Sequence, residues 1–173
     1  MNHLAAVPDH RRYQPAQEDD LSQAPIALIR AEHEGILECF HEIGKGAAND
    51  ESYVNLVQQL CDRLTVYLSI KEDIVIPALR RICFNSAMRE QIDESIVEHF
   101  SIKILLETLD GEGPDDELFK AKLTVLQRHF IRHIGFEQRF LFPRLISFTP
   151  IELEGRILEH RARLIRDLDR ADR

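Results

Sequence analysis

The residues best suited to chemistry are His133 and Glu137, which lie four positions apart on an apolar pattern of helical period. Four residues make about one turn of a helix, so the imidazole and the carboxylate face the same side and can reach one metal ion together. His129 precedes His133 by the same step and is a further candidate ligand, although its counterpart Arg63 suggests an edge that faces solvent. The spacing therefore predicts metal-ion chemistry in the last third of the chain.

The same pattern occurs twice in the chain, at a fixed offset of 66 residues. The equivalent pairs are His33 and His99, Tyr67 and His133, Lys71 and Glu137, and Pro77 and Pro143. The first copy thus carries a phenol and an ammonium where the second copy carries an imidazole and a carboxylate. Because an ammonium repels a metal cation, the pattern indicates a duplicated helical pair whose first half has lost ligands.

Apolar residues recur at three- and four-residue steps in four long segments, and no alternating strand pattern occurs in the sequence. Short connections between the predicted helices favour an antiparallel up-down arrangement. The predicted fold class is therefore all-α, a four-helix bundle with an additional C-terminal helix. We assign residues 1–23 to a flexible N-terminal tail, 24–148 to the bundle and 149–173 to the last helix. That last helix has a second apolar stripe, which docking on the bundle and homodimer formation explain equally well.

The composition narrows the classes of partner. A chain of 173 residues with 44% hydrophobic content suits one domain, and a net charge of -8 without a basic cluster argues against a nucleic-acid partner. No segment approaches the roughly 20 apolar residues of a membrane span, and no signal-peptide core is apparent, which predicts a cytoplasmic protein without a membrane partner. The spacing of the three cysteines suggests neither a disulfide framework nor a thiolate zinc site.

The motifs of the two halves resemble those of the hemerythrin family, in particular the bacterial hemerythrin-like HHE cation-binding domains. The resemblance covers about residues 25–147 and rests on Glu32-His33, Glu98-His99, His133 with Glu137, Ile76-Pro77 and Leu141-Phe142-Pro143. It implies that one iron would be held by His99, His133 and Glu137. A second iron would need His33, Tyr67 and a carboxylate at the position where this chain has Lys71.

The departure at Lys71 changes what the resemblance implies about the metal. Our hypothesis is that the ammonium takes the place of the second metal and pairs with the free oxygen of Glu137. We therefore expect one iron rather than two, with zinc or manganese as alternatives, because two imidazoles and one carboxylate suit each of these ions.

Other arrangements of the first half are compatible with the sequence. A Tyr67 phenolate would be a means of retaining a second metal. Glu72 would replace the lost carboxylate only by turning inward, since it lies about 100° around the helix from Lys71. A metal-free polar core, in which His33 is hydrogen-bonded to Tyr67, is the competing interpretation.

Three classes of function follow from these patterns. The first is a metal-binding protein that binds or senses a small ligand such as dioxygen, nitric oxide or peroxide, or that handles iron. The second is a non-haem iron enzyme that acts on peroxide or dioxygen. The third is a metal-free bundle that serves as a signalling or interaction module. Reversible oxygen carriage is the least expected role, because a single iron lacks the partner metal for two-electron binding of dioxygen.

Overall fold

The structure is a computed structural model that describes residues 24–46, 51–109, 113–148 and 152–171. The predicted N-terminal tail of residues 1–23 lies outside the described residues. The helices are α1 (Ala24–Lys45), α2 (Glu51–Ile70), α3 (Ile76–Arg81), α4 (Ser86–Leu109), α5 (Phe119–Phe136), α6 (Phe142–Phe148) and α7 (Glu152–Ala171). The described part of the chain contains no strand, which confirms the predicted all-α bundle with an additional C-terminal helix.

Two π-helical segments interrupt the longest helical rods. They span Lys71–Val75, between α2 and α3, and Glu137–Leu141, between α5 and α6. In each, an amide N–H bonds the carbonyl five residues earlier, that of Ile76 to Lys71 and that of Phe142 to Glu137. A proline stands two residues after the end of each segment, Pro77 after Val75 and Pro143 after Leu141, and a proline has no N–H and crowds the carbonyl four residues before it. The wider turn accommodates the proline, so the helix continues through it.

The two π segments obey the same 66-residue offset as the side-chain motif, since 71 and 75 become 137 and 141. The halves therefore share backbone irregularity as well as residue types. Turns of this kind are frequent at functional sites. The first segment begins at Lys71 and the second at Glu137, which are paired by the 66-residue offset. The duplication therefore places these two side chains at equivalent points of the bundle.

The bundle is built from two packed helical pairs, with α1 against α2 and α4 against α5. Apolar side chains such as Ile36, Leu64 and Phe130 are fully buried between them and exclude water from the centre. Among the described residues, no helix combines the length and the apolar character that crossing a membrane requires.

Helix α7 packs on α1, α2 and the first π segment of the same chain. It buries Leu153 and Ile157, and its His160 Nε2 lies 2.9 Å from Ser69 Oγ and 3.2 Å from Asp73 Oδ2. Arg161 of the same helix forms an ion pair with Glu32. Docking on the bundle thus accounts for the buried face of α7, while homodimer formation stays a prediction.

Candidate metal centre

Glu137 lies at the middle of the bundle and is completely buried. Its Oε1 lies 2.5 Å from Lys71 Nζ and 3.3 Å from His133 Nε2. Its Oε2 accepts hydrogen bonds from the Tyr67 hydroxyl at 2.7 Å and from His33 Nε2 at 2.9 Å. The second π segment therefore delivers one carboxylate to polar side chains from α1, α2, the first π segment and α5.

His99 on α4 completes the cluster, because its Nε2 lies 3.2 Å from His133 Nε2. The ligand atoms of His99, His133 and Glu137 all lie within 4.8 Å of one another, and all three side chains are fully buried. Neighbouring ligands of one metal stand about 3 Å apart when the metal–ligand bonds are about 2.0–2.2 Å. The separations of 3.2 and 3.3 Å fit that requirement. At these two separations, His133 and its neighbours His99 and Glu137 are compatible with a single metal ion.

A carboxylate lies behind each of the two imidazoles. His133 Nδ1 donates a hydrogen bond to Glu98 Oε2 at 2.7 Å, and Glu72 Oε1 lies 3.6 Å from His99 Nδ1. A carboxylate on the far nitrogen orients an imidazole ligand, fixes its tautomer and raises its basicity. With Nδ1 protonated, the Nε2 lone pair of a neutral His133 points into the cluster. Glu98 thus orients His133 as a metal ligand would be oriented, whereas the 3.6 Å between Glu72 and His99 is too long for a hydrogen bond.

Lys71 is fully buried beside this cluster. The predicted ion pair with Glu137 is present at 2.5 Å, but the predicted place of the ammonium, on the free oxygen in the position of the second metal, is wrong. The ion pair involves Oε1, the oxygen that faces His133, whereas His33 and Tyr67 contact Oε2. The ammonium therefore lies beside the retained ligand set, on the opposite oxygen from the remains of the second site. A metal that binds Oε1 has to share this oxygen with the ammonium or displace it.

Comparison with known proteins identifies the family. The family model of the hemerythrin HHE cation binding domain matches residues 24–145, more than half of the chain. The chain belongs to this family. A solved structure of a hemerythrin HHE cation binding domain-containing protein from Mycobacterium kansasii is similar, with a TM-score of 0.65 and 20% identity over 86% of this chain and 87% of that one. That likeness shows the shared fold. A comparison with curated proteins finds no match.

The second metal position of this HHE domain holds an incomplete ligand set. His33 Nε2 lies 3.3 Å from the Tyr67 hydroxyl, and both contact Glu137 Oε2, while the position of the missing carboxylate is Lys71. Burial, reinforced by the negative charge of Glu137, holds the pKa of Tyr67 well above its usual value of 10. This opposes the phenolate that a second metal would need. The hydrogen bond between His33 and Tyr67, which the interpretation of a metal-free polar core predicted, is present.

Burial and charge set the protonation of the cluster in this HHE domain. Burial would raise the pKa of Glu137, but Lys71 and His133 beside it hold that pKa well below its ordinary value. Burial lowers the pKa of His99 to about 2, with help from His133 and Lys71. For His133 burial acts in the same direction, yet Glu137 and Glu98 raise its pKa above 6.5. The metal-free centre therefore contains an ionised Glu137 and a neutral His99.

The neutral His99 makes the metal-free protein sensitive to acid. Between pH 6.5 and about pH 2, the unfolded chain binds a proton at this side chain that the folded protein does not. The contribution of neutral His99 to the free energy of unfolding is therefore fully present above pH 6.5. It falls with decreasing pH, by at most about 1.4 kcal/mol per pH unit. His33, whose pKa burial also lowers, acts in the same direction. The raised pKa of His133 acts oppositely, and its stabilisation is lost only as the pH rises through the folded pKa.

We expect His99→Gln to reduce the dependence of the free energy of unfolding on pH, by about 1 kcal/mol per pH unit between pH 6.5 and 5. Urea unfolding in the presence of a chelator, at pH 7 and pH 5, measures it. His41→Gln is the matched control, because His41 is exposed as the sequence predicted. An unchanged pH dependence in His99→Gln would show that this imidazole is charged in the folded protein.

The roles of two carboxylates at the site were not predicted from the sequence. Glu98 contacts His133, but the sequence offered only its place before His99 as a signal. Glu72 does not replace the lost carboxylate at Glu137 but stands behind His99 instead. His129 is half-buried and lies outside the group of converging ligand atoms. Cys39, Cys61 and Cys83 form no disulfide in the structure.

Proposed function

We propose that this HHE domain binds one divalent transition metal ion, with iron(II) as the expected metal, at His99, His133 and Glu137. The observation that carries the proposal is the convergence of two imidazole Nε2 atoms and one carboxylate oxygen within 4.8 Å in a fully buried centre. Two imidazoles and one carboxylate leave open coordination positions on iron(II), zinc or manganese. Such an ion supplies a Lewis-acidic, and for iron redox-active, position to a small ligand.

The surrounding residues suit the binding of a small ligand such as dioxygen, nitric oxide or peroxide. Phe130 and Phe142 pack against His33 with ring centroids 5.9 and 6.0 Å away, so the centre is enclosed by apolar surface. Lys71 Nζ and the Tyr67 hydroxyl are hydrogen-bond donors next to the ligand set. Binding or sensing of such a ligand, or the handling of iron, follows more directly than oxygen carriage, because the ligand set holds one metal.

Loss of the carboxylate tests the metal site. We expect Glu137→Ala and Glu137→Gln to weaken iron(II) binding by at least about 100-fold, since each removes the anionic ligand. Anaerobic calorimetric titration measures this, with His41→Ala as the control that retains binding. Glu137→Gln keeps the shape of the side chain and guards against misfolding of the alanine variant. Full affinity in both variants would place the metal elsewhere.

A metal-free bundle that serves as an interaction module is the second candidate, and the Lys71–Glu137 ion pair favours it. Without metal, this pair and the histidines contact one another, and a polar cluster of this kind specifies the bundle while adding little stability. Thermal unfolding separates the candidates, because a metal that binds only the folded protein raises Tm. A Tm unaffected by iron(II), zinc or chelator would support the metal-free bundle.

A further inference from the structure

A surface cleft lies between α2 with its π segment and α4. Its volume is about 410 Å³, and its charged lining residues are Glu72, Asp73, Lys103 and Glu107. Three carboxylates thus face one ammonium, which makes the cleft attractive to a divalent cation. The side chains of Glu72 and Lys103 are 30% and 43% exposed, so both are in reach of solvent.

Glu72 connects this cleft to the buried centre. Its Oε2 lies 2.5 Å from Lys103 Nζ, and its Oε1 lies 3.6 Å from Nδ1 of the fully buried His99. That Nδ1 makes no hydrogen bond within the part of the chain that the structure describes. An unsatisfied buried nitrogen therefore points toward a half-exposed carboxylate, which separates solvent from a proposed metal ligand.

The neighbouring carboxylate is held differently. Asp73 Oδ2 accepts a hydrogen bond from Ser69 Oγ at 2.9 Å and lies 3.2 Å from His160 Nε2 of α7. These contacts fix Asp73 against the C-terminal helix. Glu72 is instead paired with a lysine whose long, flexible side chain is half-exposed. Of the two, Glu72 is the carboxylate that is better placed to exchange partners.

We propose that the cleft is the route by which the metal ion reaches the centre, and that Glu72 captures the ion while Lys103 closes the route. This inference rests on the proposed metal-binding function. An arriving cation competes with the Lys103 ammonium for Glu72. Once the ion has passed to the imidazole Nε2 atoms, Glu72 returns to Lys103, and its other oxygen moves close enough to accept a hydrogen bond from the Nδ1–H of His99, which keeps the Nε2 lone pair directed inward.

A gate changes the rates of uptake and release together and the equilibrium constant less. We therefore expect Lys103→Met to take up cobalt(II) roughly five- to tenfold faster and to release it faster as well. Glu72→Gln should be slower in both directions by a similar factor. Stopped-flow absorbance of cobalt(II) gives the uptake rate, and transfer to excess chelator gives the release rate. The matched controls are Lys45→Met and Glu42→Gln, which alter an exposed surface pair of the same type.

The outcomes separate the route from the site. If wild-type protein binds one cobalt(II) that Glu137→Gln loses, and both cleft variants exchange it at wild-type rates, the route is wrong while the metal site stands. A change confined to the equilibrium constant, without faster uptake in Lys103→Met, would assign Glu72 and Lys103 a purely structural role and would also overturn the proposal. If wild-type protein binds no cobalt(II), iron(II) or zinc, the proposed function fails and the route with it.

Discussion

Lys71→Met is expected to tighten binding of iron(II) by about 100-fold or more and to destabilise the metal-free protein. Lys71 Nζ lies 2.5 Å from the oxygen of Glu137 that also faces His133, so the ammonium opposes any cation at this position. At an effective dielectric constant of about 20, two unit charges 4 Å apart interact by about 4 kcal/mol, which supports a change of this size. Methionine fills nearly the same volume without the charge.

The loss of folding stability in Lys71→Met is expected when the metal is absent. Without Lys71, the buried Glu137 loses its strongest partner, and breaking such a pair costs on the order of 3 kcal/mol. Urea unfolding with chelator and with iron(II) measures both effects, and metal should restore the stability that the substitution removes. Lys45→Met, at an exposed lysine, should change neither quantity. Unchanged metal affinity in Lys71→Met would show that the ammonium does not oppose the ion.

The second large effect is expected from the double substitution Tyr67→His with Lys71→Glu. It restores an imidazole and a carboxylate at the two positions that differ from the second half of the duplicated motif. The Tyr67 hydroxyl already lies 3.3 Å from His33 Nε2 and 2.7 Å from Glu137 Oε2, so a histidine at this position faces the same atoms. We expect metal content to rise towards two ions per chain after anaerobic loading.

The single substitutions are the controls for this result. Tyr67→His alone leaves the ammonium in place and should stay at one metal per chain. Lys71→Glu alone lacks the additional imidazole and places two carboxylates together in the metal-free core, which requires a cation or a proton between them. If the double variant holds no more metal than wild-type protein, the alignment of the two halves at 66 residues does not describe equivalent ligand positions.

Much of the centre was predictable because the motif is duplicated. The shared offset placed His33, Tyr67, His99, His133 and Glu137 at similar depths, and the structure brings these five side chains together. The ion pair of Lys71 with Glu137 was expected from the resemblance, which puts the ammonium where the second iron would need a carboxylate. Periodicity on four amphipathic segments sufficed for the bundle, since burying four apolar stripes has few compact solutions.

Other features depend on contacts between helices that spacing does not encode. Which oxygen of Glu137 meets Lys71 depends on how far the first π segment rotates that side chain, and residue spacing alone does not predict the wider turn. Glu98 reaches His133 on the neighbouring helix α5, so its role rests on the packing of two helices. The docking of α7 through His160 and Arg161 is likewise a tertiary contact.

The central claim is that one metal ion binds at His99, His133 and Glu137. The most direct test is metal content per chain by elemental analysis, on protein purified without chelators or an affinity metal column and then loaded anaerobically with iron(II). The account predicts one ion per chain, lost in Glu137→Gln and retained in His41→Ala. Two ions per chain would contradict the role assigned to Lys71, and no bound metal in folded wild-type protein would contradict the metal site itself.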